Sequence, residues 1–396
     1  MGKNPHAKKP LRFSIGLLTF FVCLAVVLLL IIRVRQGGKA NDFPVFYYAA
    51  HMVLDGARTA LYDVNAQHAF QVRFGCDPRL FFYYPAFSLL PFLLIAIFPL
   101  HAAFAVWTAL SLVLLTVSIK ALCNQNDLFR GYWPAVMSLL FLPVMMNLLQ
   151  GQLAIVILAV YVWCYLLWRG GHRFAGGLVL SLAMIKFQLV VGFVSILFLR
   201  RKWRELAGFA SGAIPIVLLS GAVVGFSEFL HYPEFMLHHD GDQAVLPTSM
   251  ANLRGLAVLI LGSGNHFAVV AVLSLGVLLF CASLWKDLET GFPAAIFASM
   301  LVSYHFNPYD LSLALIPTCL AIRELTPRMK ILIAVGVVTL PWLMLRFWEA
   351  EHFALLAIPM IATLAWQLLQ QKRSVATPKE ATFAPNESVL SEASLL

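Results

Sequence analysis

The sequence predicts an all-α polytopic membrane protein, and three observations carry that prediction. Of 396 residues, 61% are hydrophobic and 12% charged, with a mean hydropathy of +0.82, which is not the composition of a soluble globular domain. The apolar residues collect into thirteen runs of helical length. Lys and Arg collect in short clusters between those runs, the arrangement that sets membrane topology. The same placement accounts for the net charge of +9 without a nucleic-acid partner. Six cysteines fall mostly in apolar runs, and Cys76 is alone in the first loop, so they indicate no disulfide framework.

The N-terminal MGKNPHAKKPLR carries Lys3, Lys8, Lys9 and Arg12 and is expected in the cytoplasm. The run at 13–32 lacks a small-residue cleavage site and reads as a retained signal anchor. Beyond it, Asp42 stands just outside a short apolar helix that has Pro44 in its first turn and Gly56 at its end. That helix is too short to span and is expected along the membrane surface. Asp42 has two readings here: a helix cap or solvated acid, or a general base at the lipid–water boundary.

Charge parity organises the rest. Basic clusters at 169–173, 200–204, 323–330 and 372–373 should all face the cytoplasm. Thirteen crossings would leave the last one outside, so one run does not cross. Segment 81–100, interrupted by Pro85, Pro91 and Pro99, is the best candidate, since proline costs about 3 kcal/mol inside a helix. About twelve transmembrane helices then put both termini inside and form one membrane domain over 1–373. Residues 33–100 and 227–265 become large extracytoplasmic loops, and the polar 374–396 reads as a disordered cytoplasmic tail.

The clusters at 169–173 and 200–204 are both inside, yet each arm of 174–200 would be only about 20 Å long against about 30 Å of hydrocarbon. This predicts a short hairpin whose tip holds Lys186 in the outer half of the membrane. A Lys at that depth needs a partner and is a functional hypothesis by default; snorkelling is the other reading.

Nucleotide-binding loops of the GxxxxGK[ST] or GxGxxG type are missing from the sequence. His238-His239-Asp240 has unconvincing metal spacing and reads as solvated loop. What remains is a polar set on the outer face: Asp42, Lys186, Asn252, Arg254, Tyr309 and Asp310. Two acids and two cations at an interface suit a reaction on a phosphate-bearing lipid. Arg254 and Lys186 would hold the phosphate, and one carboxylate would take a proton. Each residue alone could equally close an ion pair within the bundle.

The chain resembles glycosyltransferase family 87, polytopic GT-C-type sugar transferases that include mycobacterial phosphatidylinositol mannoside mannosyltransferases. The resemblance rests on pieces in family order. Asp42 precedes the aromatic Phe46–Tyr48 helix and the Leu61-Tyr62 pair; Tyr84-Pro85 leads a helix, with Ala86 where a second Pro is usual. Gly151-Gln152 starts another helix. A small-residue run from Gly176-Gly177 ends in Lys186, followed by Gln188-Leu189 in place of a Pro. Ser249, Asn252, Arg254 and Gly255 match with looser spacing, and Tyr309-Asp310 is the late polar turn. The ordered set covers about residues 40–320.

The resemblance implies a GT-C-like bundle with surface helices in the first extracytoplasmic loop. It implies transfer of a hexose, mannose by analogy, from a polyprenyl-phosphate carrier to a lipid or glycan hydroxyl, with inversion. The active site would be extracytoplasmic in an inner or plasma membrane, with membrane lipids around it. Asp42 takes the general-base role, Lys186 and Arg254 the donor phosphate, and Tyr84, Gln152, Asn252, Tyr309 and Asp310 substrate-binding or supporting roles. No cofactor or metal is implied. Two other readings compete: a lipid-linked sugar transporter or flippase, whose polar helices should gather at the midplane, and a non-catalytic envelope-assembly subunit, in which Asp42 would be replaceable.

Overall fold

The computed structural model describes residues 42–75, 80–123, 133–239, 246–321 and 350–376, together with 32, 336–337, 339–343 and 345. Every element among the described residues is a helix. Three are long and apolar enough to cross a bilayer: Leu100–Cys123, Trp203–Val224 and Phe267–Leu284. Two bent pairs raise the number to five if each pair counts as one span. The expected crossing at 13–32 lies almost wholly outside the described residues, and the one at 330–346 is described only at 336–337, 339–343 and 345.

The first bent pair falls on two apolar runs, 132–149 and 152–168, that the parity count takes as separate crossings. The first run is built of two short helices, Trp133–Ser138 and Leu142–Gln150, the second of them about 13 Å long. Leu142–Gln150 meets Ala154–Arg169 at 120°. Gly151 makes the break: it takes the left-handed conformation (φ 68°, ψ 34°) that ends a helix. A Cβ there would lie 2.7 Å from the Phe43 Cβ, so glycine is required by backbone and packing alike.

The second pair is the expected short hairpin. Arg173–Leu189 meets Val191–Leu199 at 116°, and its first arm tightens to a 3₁₀ helix over Ser181–Leu189. Lys186 alone in that stretch has non-helical torsions (φ −136°, ψ 66°).

The helix after Asp42 runs Phe43–Leu54 and is buried on nearly every side. It was expected on the membrane surface; protein covers it instead. Its first eight residues are all apolar or aromatic, so it has no polar face to offer headgroups or water. Phe46 stacks flat on Phe92 at 4.5 Å, and Phe43 packs against Phe104 at 5.2 Å. Segment 81–100 breaks into a 3₁₀ turn, Ala86–Leu89, and a six-residue helix, Leu90–Ile95. Together they reach about 15 Å, half of a hydrocarbon core.

Buried Gln67, in the Val64–Phe74 helix, fixes the approach to Tyr84. Its amide oxygen accepts from the Tyr48 hydroxyl (2.9 Å) and the Phe82 amide (2.8 Å), and its amide nitrogen donates to the Leu61 carbonyl (2.8 Å). At the chain's other end the last helix, Ala357–Ala376, runs three residues into the expected tail; residues 377–396 lie outside the described ones.

Candidate active site

A cavity of about 920 Å³ opens where the breaks converge. Four sequence-predicted residues line it: Asp42, Tyr84, Gln152 and Tyr309. Each is delivered by an interruption rather than by a regular helix. Asp42 precedes its helix, Tyr84 precedes the Pro85 turn, Gln152 follows the Gly151 break, and Tyr309 sits in the 3₁₀ turn Pro308–Ala314.

Asp42 occupies the N-cap position of Phe43–Leu54, yet its side chain bonds none of that helix's amides. Its Oδ2 instead accepts from Gln152 Nε2 at 2.6 Å. Gln152 Oε1 accepts in turn from the Tyr84 hydroxyl at 3.3 Å, and Tyr84 also bonds the Tyr309 side chain. Burial pushes the Asp42 carboxyl above the ordinary carboxylate value, while the Gln152 hydrogen bond and the Lys186 charge pull it back. Burial, with Asp42 and Asp310 nearby, keeps the Tyr84 phenol in its neutral, donor form.

Lys186 and Asp310 do not line the cavity. They form a fully buried ion pair, Nζ to Oδ1 at 2.6 Å. The Lys186 ammonium sits 4.6 Å from the centroid of the Tyr309 ring, so Tyr309 separates the pair from the cavity. The other Asp310 oxygen accepts from the Asn307 amide at 3.0 Å, and Asn307 donates to the Tyr309 hydroxyl at 2.5 Å. Sequence reading singled out Tyr309 and Asp310 but missed Asn307. The signal was present: Asn-Pro with an acid three residues on is a reciprocal capping box.

Asn252 and Arg254 brace the lining at Ser303 and Tyr304. Asn252 is buried, caps Leu253–Leu261 through the Gly255 amide, and donates to the Ser303 carbonyl at 2.6 Å. Arg254 lies 4.0 Å over the Tyr304 ring. Ser303 and Tyr304 line the cavity, while Asn252 and Arg254 themselves do not. Lys186 and Arg254 are therefore each engaged by a cavity-side tyrosine, on different elements.

The rest of the lining is largely apolar, and Phe187, Val191, Phe267 and Val302 give one side a continuous greasy wall. Phe267 and Val191 are also exposed, so this wall reaches the outer surface of the helices. Such a site offers one buried carboxylate, neutral phenols, a nearby ammonium and room for an apolar chain.

The family model described as glycosyltransferase family 87 matches residues 82–308. The chain belongs to glycosyltransferase family 87. This makes it a membrane glycosyltransferase, with a sugar donor and an acceptor as substrates, and favours that reading over a transporter. Neither the curated proteins nor the solved structures yield a match.

Proposed function

We propose that this family 87 enzyme transfers a hexose, mannose by family analogy, from a polyprenyl-phosphate carrier to a lipid or glycan hydroxyl, with Asp42 as general base. One observation carries the assignment: the only carboxylate lining the cavity, among the described residues, turns away from the helix it could cap and is held by a glutamine from another element.

In the proposed step, the acceptor hydroxyl gives its proton to Asp42 as its oxygen attacks the anomeric carbon. The new C–O bond forms while the bond to the carrier phosphate breaks. The phosphate leaves with the electron pair, and attack from the opposite face inverts the centre. Gln152 occupies Oδ2, so Oδ1 is the oxygen for the incoming proton. The leaving phosphodiester needs cationic stabilisation more than an acid catalyst. Arg254, stacked over the ring of cavity-lining Tyr304, would meet it after a rotamer change. Lys186 acts from behind Tyr309, holding Asp310 and biasing Asp42 toward its ionised form. The apolar wall through Phe187 and Phe267 suits the carrier's prenyl chain.

The site would open on the extracytoplasmic side of an inner or plasma membrane, with about twelve helices in the whole chain. These assignments rest on the charge pattern of the sequence. The test is transfer from defined polyprenyl-phosphate hexoses in reconstituted vesicles, comparing wild type with Asp42→Asn. Wild-type rate in the variant would remove the base from Asp42.

A further inference from the structure

Helices Arg173–Leu180 and Trp203–Val224 approach each other through glycines. A Cβ on Gly177 would fall 2.1 Å from the Glu205 carbonyl oxygen, and one on Gly208 would fall 2.0 Å from that of Phe174. No side chain other than hydrogen fits this crossing. Its consequence lies at the helix ends. It draws the turn after Ala154–Arg169 and the turn before Trp203–Val224 side by side, although they are about thirty residues apart in sequence.

The two turns carry Arg169, Arg173, Arg200, Arg201, Lys202 and Arg204, and Glu205 is the one acid between 169 and 205. Glu205 is buried and already bonded to Arg173 at 2.8 Å. The cations therefore outnumber the available negative charge, and Arg169, Arg200, Arg201 and Arg204 are exposed. Lys202 reaches over Trp285 at 5.8 Å, and Trp285 packs near Trp168 at 6.4 Å, which ties both turns to one aromatic floor. The next turn adds Lys286 with Asp287, whose carboxylate is spent capping its own helix.

Exposed Phe174, Phe198 and Trp203 rim the patch, and Phe198 packs edge-on against Trp203 at 5.6 Å. An exposed Trp and Phe at the end of apolar helices mark headgroup depth. Membrane orientation alone asks for Lys and Arg near helix ends. It does not ask for a glycine crossing that gathers them into one patch and buries the single acid.

We propose that this patch is a binding surface for the phosphates of anionic phospholipids in the leaflet it faces. The charge identifies the ligand class, and the aromatic rim sets the patch at the depth of lipid phosphates rather than out in solvent. Guanidinium groups favour phosphate oxygens through paired hydrogen bonds. The inference does not depend on the transfer reaction or on Asp42.

The test titrates detergent-purified full-length protein with phosphatidylglycerol and, separately, phosphatidylcholine, counting bound lipids by native mass spectrometry. Wild type should prefer phosphatidylglycerol. The combined Arg200→Gln, Arg201→Gln and Arg204→Gln variant, which spares the Arg173–Glu205 pair, should bind it about a hundredfold more weakly. The corresponding triple Lys variant should keep most of the preference, since charge survives and only the paired hydrogen bonds are lost. Equal binding of the two lipids by wild type would overturn the proposal, as would unchanged phosphatidylglycerol binding in the Gln variant. An acidic protein copurifying with wild type, without any lipid preference, would overturn it in favour of a protein partner.

Discussion

Gln152 Nε2 donates to Asp42 Oδ2 at 2.6 Å across 110 residues of chain. This bond turns an N-cap acid into a cavity acid. It exists because Gly151 breaks the helix just before Gln152 and lets Phe43 pack onto the break.

Asp42→Asn keeps the shape of the side chain but cannot take a proton. Transfer should fall by about 10²–10⁴-fold, the range of a lost general base. Folding should not suffer, because no cap bond is lost. Burial raises the Asp42 carboxyl above its unfolded value, so its ionised form costs folding free energy. That cost is absent below the unfolded value and appears as pH rises through the shifted one. At neutral pH the Asn variant should therefore melt no lower than wild type. A rate near wild type, measured in reconstituted vesicles, would refute the base.

Gln152→Leu should leave Asp42 in the cavity without its anchor. The Gln152 hydrogen bond lowers the Asp42 carboxyl, so its removal raises that value further. The acid limb of the pH–rate profile should then move to higher pH, and the maximal rate should drop by about 10–100-fold from the loss of a charge-assisted bond worth about 1.5–3 kcal/mol. A profile whose acid limb stays in place would show that Gln152 only fills space.

How much of this site was legible in the sequence depends on which link carries it. Asp42, Lys186, Tyr309 and Asp310 stood out because polar groups among apolar runs are costly. Their partners did not, because nothing in one sequence says that Lys186 pairs with Asp310 124 residues away. Charge parity anticipated the short hairpin from the spacing of two basic clusters. It put the turn of 132–168 at Gln150-Gly151-Gln152, where the chain does bend by 120°, but an apolar run does not report that its first arm is split into short helices, Trp133–Ser138 and Leu142–Gln150. The Phe43–Leu54 helix was misplaced at the surface for a related reason: its length was weighed, but its all-round apolar character was not.

Lys186→Met should be poorly tolerated. It leaves Asp310 buried with no counter-charge, a loss of about 3–5 kcal/mol. The double variant Lys186→Met with Asp310→Asn removes both charges and should recover most of the folded yield. If Lys186 also biases Asp42 toward ionisation, the recovered protein should still transfer sugar slowly at neutral pH and gain rate as pH rises. Full activity in the double variant at pH 7 would reduce Lys186 to a structural partner.

Gly151→Ala tests the break itself. The residue would keep φ near +68°, a region that costs an L-residue about 1 kcal/mol or more. Its Cβ would also press on the Phe43 side chain, one residue from Asp42. Phe43 is fully buried among Phe92 and Phe104, so it cannot swing clear into solvent. Either Phe43 shifts and takes Asp42 with it, or the Gly151 turn opens and withdraws Gln152. Both routes lengthen the Asp42–Gln152 contact. The variant should lose about 1–3 kcal/mol of stability, within the ordinary range for overpacking, and should copy the raised acid limb of Gln152→Leu. Combining the two substitutions should then add little further change in the pH profile, because each removes the same bond. Additive shifts in the double variant would mean that Gly151 and Gln152 act on Asp42 by separate routes.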